Sequence, residues 1–215
     1  MALKIQCFTF NGFQENSYVI SDQNGTGIII DPGCYSREEE NELVAYLSDN
    51  HIIPVALLNT HAHIEHVLGN SFVKDNYKIP LYLHKDDTGT LDSVRQYASL
   101  YGFEGYKTSP SADKELRHGM NLVFGEMKIR VLHTPGHAPG HVIFYFEDEG
   151  FVINGDVLFN GSFGRVDLPG GNIDILKESI FEHLFTLPEA TIVYCGHGPS
   201  TTIGKEKRDN FIHQF

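Results

Sequence analysis

The segment Thr60-His61-Ala62-His63-Ile64-Glu65-His66 puts three imidazoles and a carboxylate within six consecutive residues, His61 to His66. Imidazoles crowded like this repel one another when charged, and a shared cation gives them a reason to be together. Residues two apart in an extended segment point the same way, so His61 and His63 can grip one ion. If the chain then turns into a helix, Glu65 and His66 project differently and can reach a second. Imidazole and carboxylate are the donors that a hydrolytic Zn²⁺, Mn²⁺ or Fe²⁺ site requires. Three more segments end in the same kind of residue: Thr134-Pro135-Gly136-His137, Asn154-Gly155-Asp156 and Cys195-Gly196-His197-Gly198-Pro199. Each closes an apolar run with a Gly- or Pro-shaped turn, the arrangement that exposes functional groups on loops along one rim of a rigid sheet.

The elements that must position these donors are legible in outline. Strands are predicted over Lys4–Phe10, Ser17–Ser21 and Gly27–Asp31, separated by turns containing Asn or Gly. Ser36–Asn50 carries Leu43, Val44 and Leu47 at helical offsets, with Glu38, Glu39 and Glu40 near its positive end. Pro54–Asn59 is a short apolar strand leading into the histidine cluster. Val67–Tyr77 and Asp86–Leu100 read as helices, with Ile79–Leu83 a strand between them. Leu122–Leu132 is a hairpin turning at Gly125-Glu126, and His141–Phe146 pairs with Phe151–Asn154. Ile173–Phe185 reads as a helix and Thr191–Tyr194 as a strand. This mixture fits a mixed α/β layering; two sheets facing each other with helices outside would use all of it, and periodicity alone admits other α/β layouts as well. No repeat or low-complexity linker interrupts the 215 residues, so one domain over residues 1–215 is expected.

Composition narrows the function. The formal net charge of −12 argues against a nucleic-acid partner, which usually calls for a basic face. The short Lys205-Glu206-Lys207-Arg208 stretch reads as a solvated helix face. No apolar run is long enough to span a bilayer, and Met1 to Phe13 does not read as a secretion signal, so no membrane association and a cytoplasmic location are expected. Cys7, Cys34 and Cys195 are odd in number and far apart, which suits packing in a reducing compartment better than a disulfide framework. Of the remaining histidines, His51, His84, His118, His183 and His213 read as hydrogen-bonded structural residues. His133 and His141 flank His137 and read as packing or orienting neighbours.

The order HxHxEH, TPGH, GD and GHG resembles the metallo-β-lactamase superfamily. More narrowly, the chain is similar to the short, single-domain glyoxalase II-like hydrolases, also called hydroxyacylglutathione hydrolase-like. Phe13-Gln14-Glu15-Asn16-Ser17-Tyr18, Ile30-Asp31-Pro32-Gly33, Asp156-Val157-Leu158-Phe159, Gly164-Arg165-Val166-Asp167-Leu168-Pro169-Gly170-Gly171 and Gly196-His197-Gly198-Pro199-Ser200-Thr201-Thr202-Ile203-Gly204 carry that likeness. The resemblance implies a four-layer αββα sandwich with the site at one edge. It implies that His61, His63 and His137 hold a first metal, that Glu65, His66 and His197 hold a second, and that Asp156 bridges them. Asp31 would orient a ligand, and Arg165 and Asp167 would buttress the site. Two divalent ions are implied, zinc first, with iron or manganese as alternatives. In one departure, Glu65 stands where the family pattern HxHxDH has Asp. In another, the chain ends about fifteen residues after the GHG motif, too soon for a helical domain that would bind glutathione.

The expected chemistry is hydrolysis of a small-molecule thioester. Two Lewis acids lower the pKa of a bridging water, the hydroxide attacks a polarised carbonyl, and the thiolate leaves without a dedicated general acid. One rival on the same fold is a persulfide dioxygenase using one Fe²⁺ held by His61, His137 and Asp156. A nuclease is disfavoured by the charge. A non-catalytic metal-binding protein would need closed sites with no exchangeable position.

Overall fold

The computed structural model describes residues 3–215; Met1 and Ala2, where the N-terminal reading begins, lie outside the described residues. The first sheet contains β1 (Lys4–Phe10), β2 (Glu15–Ser21), β3 (Thr26–Ile30), β4 (Ile53–Leu58), β5 (Leu81–His84) and β6 (Lys114–Leu116), in that spatial order. Its first three strands are antiparallel, and β3 to β6 run parallel. The second sheet begins with β7 (Asn121–Phe124), β8 (Met127–His133), β9 (Val142–Phe146) and β10 (Phe151–Gly155). A small ribbon of β11 (Leu158–Phe159) and β12 (Ser162–Phe163) follows, and β13 (Ile192–Cys195) and β14 (Thr201–Thr202) complete the sheet in the order 14-13-10-9-8-7.

Successive side chains of a strand face opposite sides of a sheet, and here both sides are buried. Ile28 and Ile30 of β3, with Ala56 and Leu58 of β4, point into the space between the sheets, where they meet Ile129, Val131, Phe144 and Ile153. The residues between them, Ile29 and Leu57, pack outward against Leu43 and Leu47 of α1 (Arg37–Asp49). On the second sheet, Ile143, Tyr145 and Val152 face outward to Leu176 and Ile180. Strands buried on both faces therefore read as unbroken apolar runs, and helices must cover the outsides. The result is the expected αββα sandwich of two mixed sheets. Phe144 is wholly buried at its centre, and truncating a side chain of that size to Ala costs about 3–5 kcal/mol.

Helix boundaries show where tertiary contacts overrode local pattern. Helix α1 keeps its expected span because Ser36 and Glu39 form a reciprocal cap. The helix expected over Val67–Tyr77 is divided into α2 (Ile64–Val67) and α3 (Asn70–Tyr77). Between them Gly69 donates its backbone N–H to the Pro32 carbonyl at 2.7 Å, and a Cβ there would lie 2.5 Å from Cys34 Sγ. The chain is pinned to the turn after β3 at a point that accepts no side chain. The helix expected over Asp86–Leu100 runs as a short 3₁₀ turn, α4 (Thr88–Tyr97) and a second 3₁₀ turn through Tyr101. That over Ile173–Phe185 is α5 (Ile173–Ser179), widened to a π-helix over Ile180–Leu184.

The last helix, α6 (Ile203–Asp209), contains the Lys205–Arg208 stretch expected to be solvated. Glu206 departs from that expectation. It is fully buried and accepts from Thr201 Oγ1, the Gly161 N–H and Asn210 Nδ2, tying the C-terminal helix to the β11–β12 ribbon. Among the described residues no helix is long and apolar enough to cross a membrane.

Candidate metal centre

Four strands of the two sheets end at one edge of the sandwich, and each delivers a donor. The loop after β4 carries His61 and His63, α2 carries Glu65 and His66, and the turns after β8, β10 and β13 carry His137, Asp156 and His197. All seven converge. His61, His63 and His137 have ring nitrogens within 4.8 Å of one another, as do the donor atoms of Glu65, His66, Asp156 and His197.

The hydrogen-bond network sets which nitrogen each histidine offers. Asp31, held at a left-handed φ of 48° just after β3, accepts from the Thr60 N–H at 2.7 Å and from the Thr60 hydroxyl at 2.6 Å. The hydroxyl proton thus spent, Thr60 Oγ1 accepts from His61 Nδ1 at 3.0 Å. His66 Nδ1 donates to Asp31 Oδ2 at 3.2 Å, His137 Nδ1 to the Arg165 carbonyl at 2.7 Å, and His197 Nδ1 to the Phe13 carbonyl at 3.2 Å. Four imidazoles are therefore anchored through Nδ1–H with Nε2 turned inward, the arrangement that oriented metal ligands need. His63 presents its Nδ1 instead, 2.8 Å from His137 Nε2.

The resulting cluster fits a cation. His137 Nε2 is 3.2 Å from His61 Nε2, and both carry lone pairs rather than protons. Two such lone pairs repel, yet their spacing is close to the about 3.3 Å expected for two nitrogens that each sit 2.0–2.1 Å from one tetrahedral ion. Burial, reinforced by the neighbouring imidazoles, drives His61 well below its ordinary pKa; burial and His137 bring His63 down to about 3. These rings are neutral and ready to ligate. Asp156 Oδ1 and His66 Nε2 are buried without hydrogen-bond partners, which a metal would relieve.

Asp156 joins the two donor groups. Its Oδ2 is 3.7 Å from His137 Nε2 in one and 3.4 Å from His197 Nε2 in the other, while Oδ1 faces His66 Nε2 at 3.5 Å. Burial alone would raise its pKa, but His66, His137 and His197 outweigh that and hold it far below the carboxylate range. The carboxylate fits because the residue beside it has no side chain: a Cβ on Gly196 would lie 2.1 Å from Asp156 Oδ1. Glu65, one methylene longer than the family pattern, still brings Oε1 to 4.0 Å from His197 Nε2.

Three contributors were not singled out from sequence. Asp87 is buried and accepts from the Ala62 N–H and the Gly140 N–H, both at 2.7 Å, clamping the His61–His63 loop to the loop after His137. Nothing in its local pattern marks it, since the two partners are 25 and 53 residues away. Asn59 donates to the His66 carbonyl. Glu15 is completely buried; Ser17 donates to its Oε2, and its Oε1 lies 3.7 Å from His66 Nδ1. Burial first, then Asp31 and Asp156, push the Glu15 carboxyl well above its ordinary range despite the pull of His66. His141 has the orienting position expected of it, accepting from the Asp156 N–H at 3.0 Å and stacking on His61. His133 and His84 stack on each other instead, with centroids 4.2 Å apart. Arg165 supports His137 through its main-chain carbonyl; its side chain pairs with Asp167 on the surface. Cys195 is buried and free, and its carbonyl accepts from Tyr18 and Asn16. A cavity of about 860 Å³ opens above His63, Glu65, His137, Asp156 and His197.

Comparison with known proteins places the chain in a family. The model of the metallo-β-lactamase superfamily matches residues 10–197. The chain is 39% identical over 206 residues to "Probable metallo-hydrolase YqgX" of Bacillus subtilis (strain 168), covering 94% of each chain. It is 31% identical over 215 residues to hydroxyacylglutathione hydrolase GloC of Haemophilus influenzae (strain ATCC 51907 / DSM 11121 / KW20 / Rd), covering 97% of each. Among solved structures, the BLEG-1 B3 metallo-β-lactamase aligns with a TM-score of 0.88 at 36% identity, over 97% of this chain and 98% of that one. TTHA1623 in a di-iron-bound form aligns with a TM-score of 0.85 at 38% identity, over 96% and 98%. In sequence and in fold, the chain belongs to the metallo-β-lactamase superfamily.

Proposed function

We propose that this hydrolase acts on thioesters of the glyoxalase II type, using two divalent ions. The observation that carries the reading is the position of Asp156, whose Oδ2 lies within 3.7 Å of donors from both groups. His61, His63 and His137 would hold one ion, Glu65, His66 and His197 the other, and Asp156 would bridge them. The donors are nitrogen and oxygen without thiolate, which suits zinc and admits iron or manganese. Ions bound there would supply an ionised water near neutral pH and polarise the substrate carbonyl.

The chain's own residues do the rest. Asp31, Thr60 and the carbonyls of Arg165 and Phe13 keep the imidazoles aimed. Asp87 fixes the distance between the two loops. Among the described residues lining the cavity, the only carboxylic acids are Glu65 and Asp156, both proposed as donors, so a leaving group that needs no proton suits it. A thiolate is such a group, and the likeness to GloC adds support. The net charge of −12 disfavours nucleic acid, and three free cysteines suit a reducing compartment such as the cytoplasm.

The mononuclear dioxygenase reading needs only His61, His137 and Asp156. It leaves unexplained why Glu65 and His197 join the cluster. Elemental analysis of protein purified without added metal, paired with thiol release from a thioester panel and oxygen uptake on a persulfide, tests the proposal. Two ions per chain with thiol release is the expected result. One iron per chain with oxygen uptake would overturn it.

A further inference from the structure

Resting on the thioesterase reading, we infer that the substrate's non-reacting parts are neutral and apolar, and that the cavity selects against carboxylate-bearing carriers such as glutathione. The walls are aromatic and aliphatic. Phe159, Phe163, Phe13, Tyr97, Leu100 and Tyr101 all line the cavity. Phe159 meets the His197 ring edge-on at 6.2 Å, so the apolar lining begins at the proposed metal donors themselves. Three of the rings form a continuous strip: Tyr97 to Tyr101 is 5.7 Å between centroids, and Tyr101 to Phe13 is 5.8 Å.

This strip climbs out of the cavity into solvent. Phe13 is 39% exposed, Tyr101 53% and Leu100 83%. Contiguous apolar surface of this kind, on a chain otherwise rich in acids, marks a place where an apolar ligand or tail is covered. Drug-sized ligand sites have volumes of roughly 300–1,000 Å³, so the cavity can hold both an acyl group and part of its carrier.

Charge points the same way. Among the described residues lining the cavity, Arg165 is the one Arg or Lys, and Asp167 already occupies its guanidinium through two hydrogen bonds of 2.7 and 2.6 Å. The remaining polar side chains of the lining outside the donor cluster are hydroxyls, those of Thr90, Ser93, Tyr97 and Tyr101. A glutathione carrier brings two carboxylates and finds no unpaired cationic side chain. A short neutral amide carrier meets no such penalty, and an aryl or branched acyl group gains burial against the aromatic strip.

The test uses thioethers, which bind but cannot be hydrolysed. The metal-loaded protein is titrated calorimetrically with S-benzyl-N-acetylcysteamine, S-methyl-N-acetylcysteamine and S-benzylglutathione. We expect the neutral benzyl ether to bind about tenfold more tightly than either of the others. Equal or tighter binding of S-benzylglutathione, or no gain from benzyl over methyl, would overturn the inference. The double variant Leu100→Ser with Tyr101→Ser truncates side chains that are 83% and 53% exposed, with circular dichroism reporting whether the fold is kept. It should weaken the benzyl ether about fivefold and the methyl ether by less; native affinity for the benzyl ether in that variant would also overturn the inference. Thiol release from the matching thioesters is followed separately. The expected binding order with no thioester cleaved would refute the thioesterase reading while leaving the cavity's preference standing.

Discussion

His61, His63 and His137 lie almost wholly out of solvent, whereas the side chains of Glu65 and His197 are 17% and 27% exposed. The first group draws its rigidity from the ends of β4 and β8, from the Asp31–Thr60 relay and from the Asp87 clamp. The second depends on α2, four residues long, and on the turn after β13. Its carboxylate sits on a longer side chain than the family pattern has, and its outermost histidine is anchored by one carbonyl, that of Phe13. The first group is almost wholly enclosed, and the second has two members, Glu65 and His197, that reach solvent. A preset site binds with little reorganisation, and an adjustable one can exchange ligands as substrate enters.

Removing the joint between the halves should have the largest effect. In Asp156→Ala, thioester hydrolysis is expected to fall about a thousandfold or more with the fold retained by circular dichroism, because ionic stabilisation worth several kcal/mol is lost. Normal turnover in that variant would refute the two-metal scheme. Asp31→Asn comes next. Asp31 orients His61 through Thr60 and His66 directly, so both ions should bind about 10–100-fold more weakly in competition with a chelator. Weakening confined to one ion would break the idea of a shared support.

Glu65→Asp sharpens the contrast from the other side. Restoring the shorter carboxylate should tighten the second ion by a few-fold and leave the first unchanged, raising metal content per chain. Identical metal content in both proteins would mean that Glu65 already ligates without penalty.

The smallest expected effect concerns pH and the metal-free protein. Burial and neighbouring imidazoles lower the folded-state pKa of His61, His63 and His141. The unfolded chain, with histidine near pH 6.5, then binds more protons than the folded one as pH falls. The stability these rings confer is present above about pH 6.5 and is lost progressively below it, towards about 3 for His63. His66 works in the opposite sense, since Asp156 and Asp31 outweigh its burial and raise it, but it is one ring against three. The thermal midpoint of the metal-free protein should fall by roughly 5 °C between pH 7 and pH 5; a flat profile would show that the buried rings are not neutral.

The residues that converge at one edge of the sandwich could be picked out from the chain because their chemistry is local. HxHxEH, TPGH, GD and GHG each announce themselves by type, spacing and the turn residues beside them. The layering was legible in part, since the unbroken apolar stretches Ile28–Ile30 and Val55–Leu58 ask for cover on both faces, while the αββα topology itself came from the family resemblance. Pattern failed where distant backbone intruded. The break at Gly69 depends on Pro32 and Cys34, and the inward turn of Glu206 on Gly161 and Asn210. Glu15 and Asp87 looked ordinary because a buried carboxylate owes its meaning to partners far along the chain. The sequence by itself determined which residue types could bind a cation and that the sheets must be covered on both faces. The tertiary structure decided which nitrogen of each ring faces inward, that one carboxylate reaches both donor groups, and what lines the way in. Those features arise from contacts between loops of different strands, and no local pattern encodes such contacts.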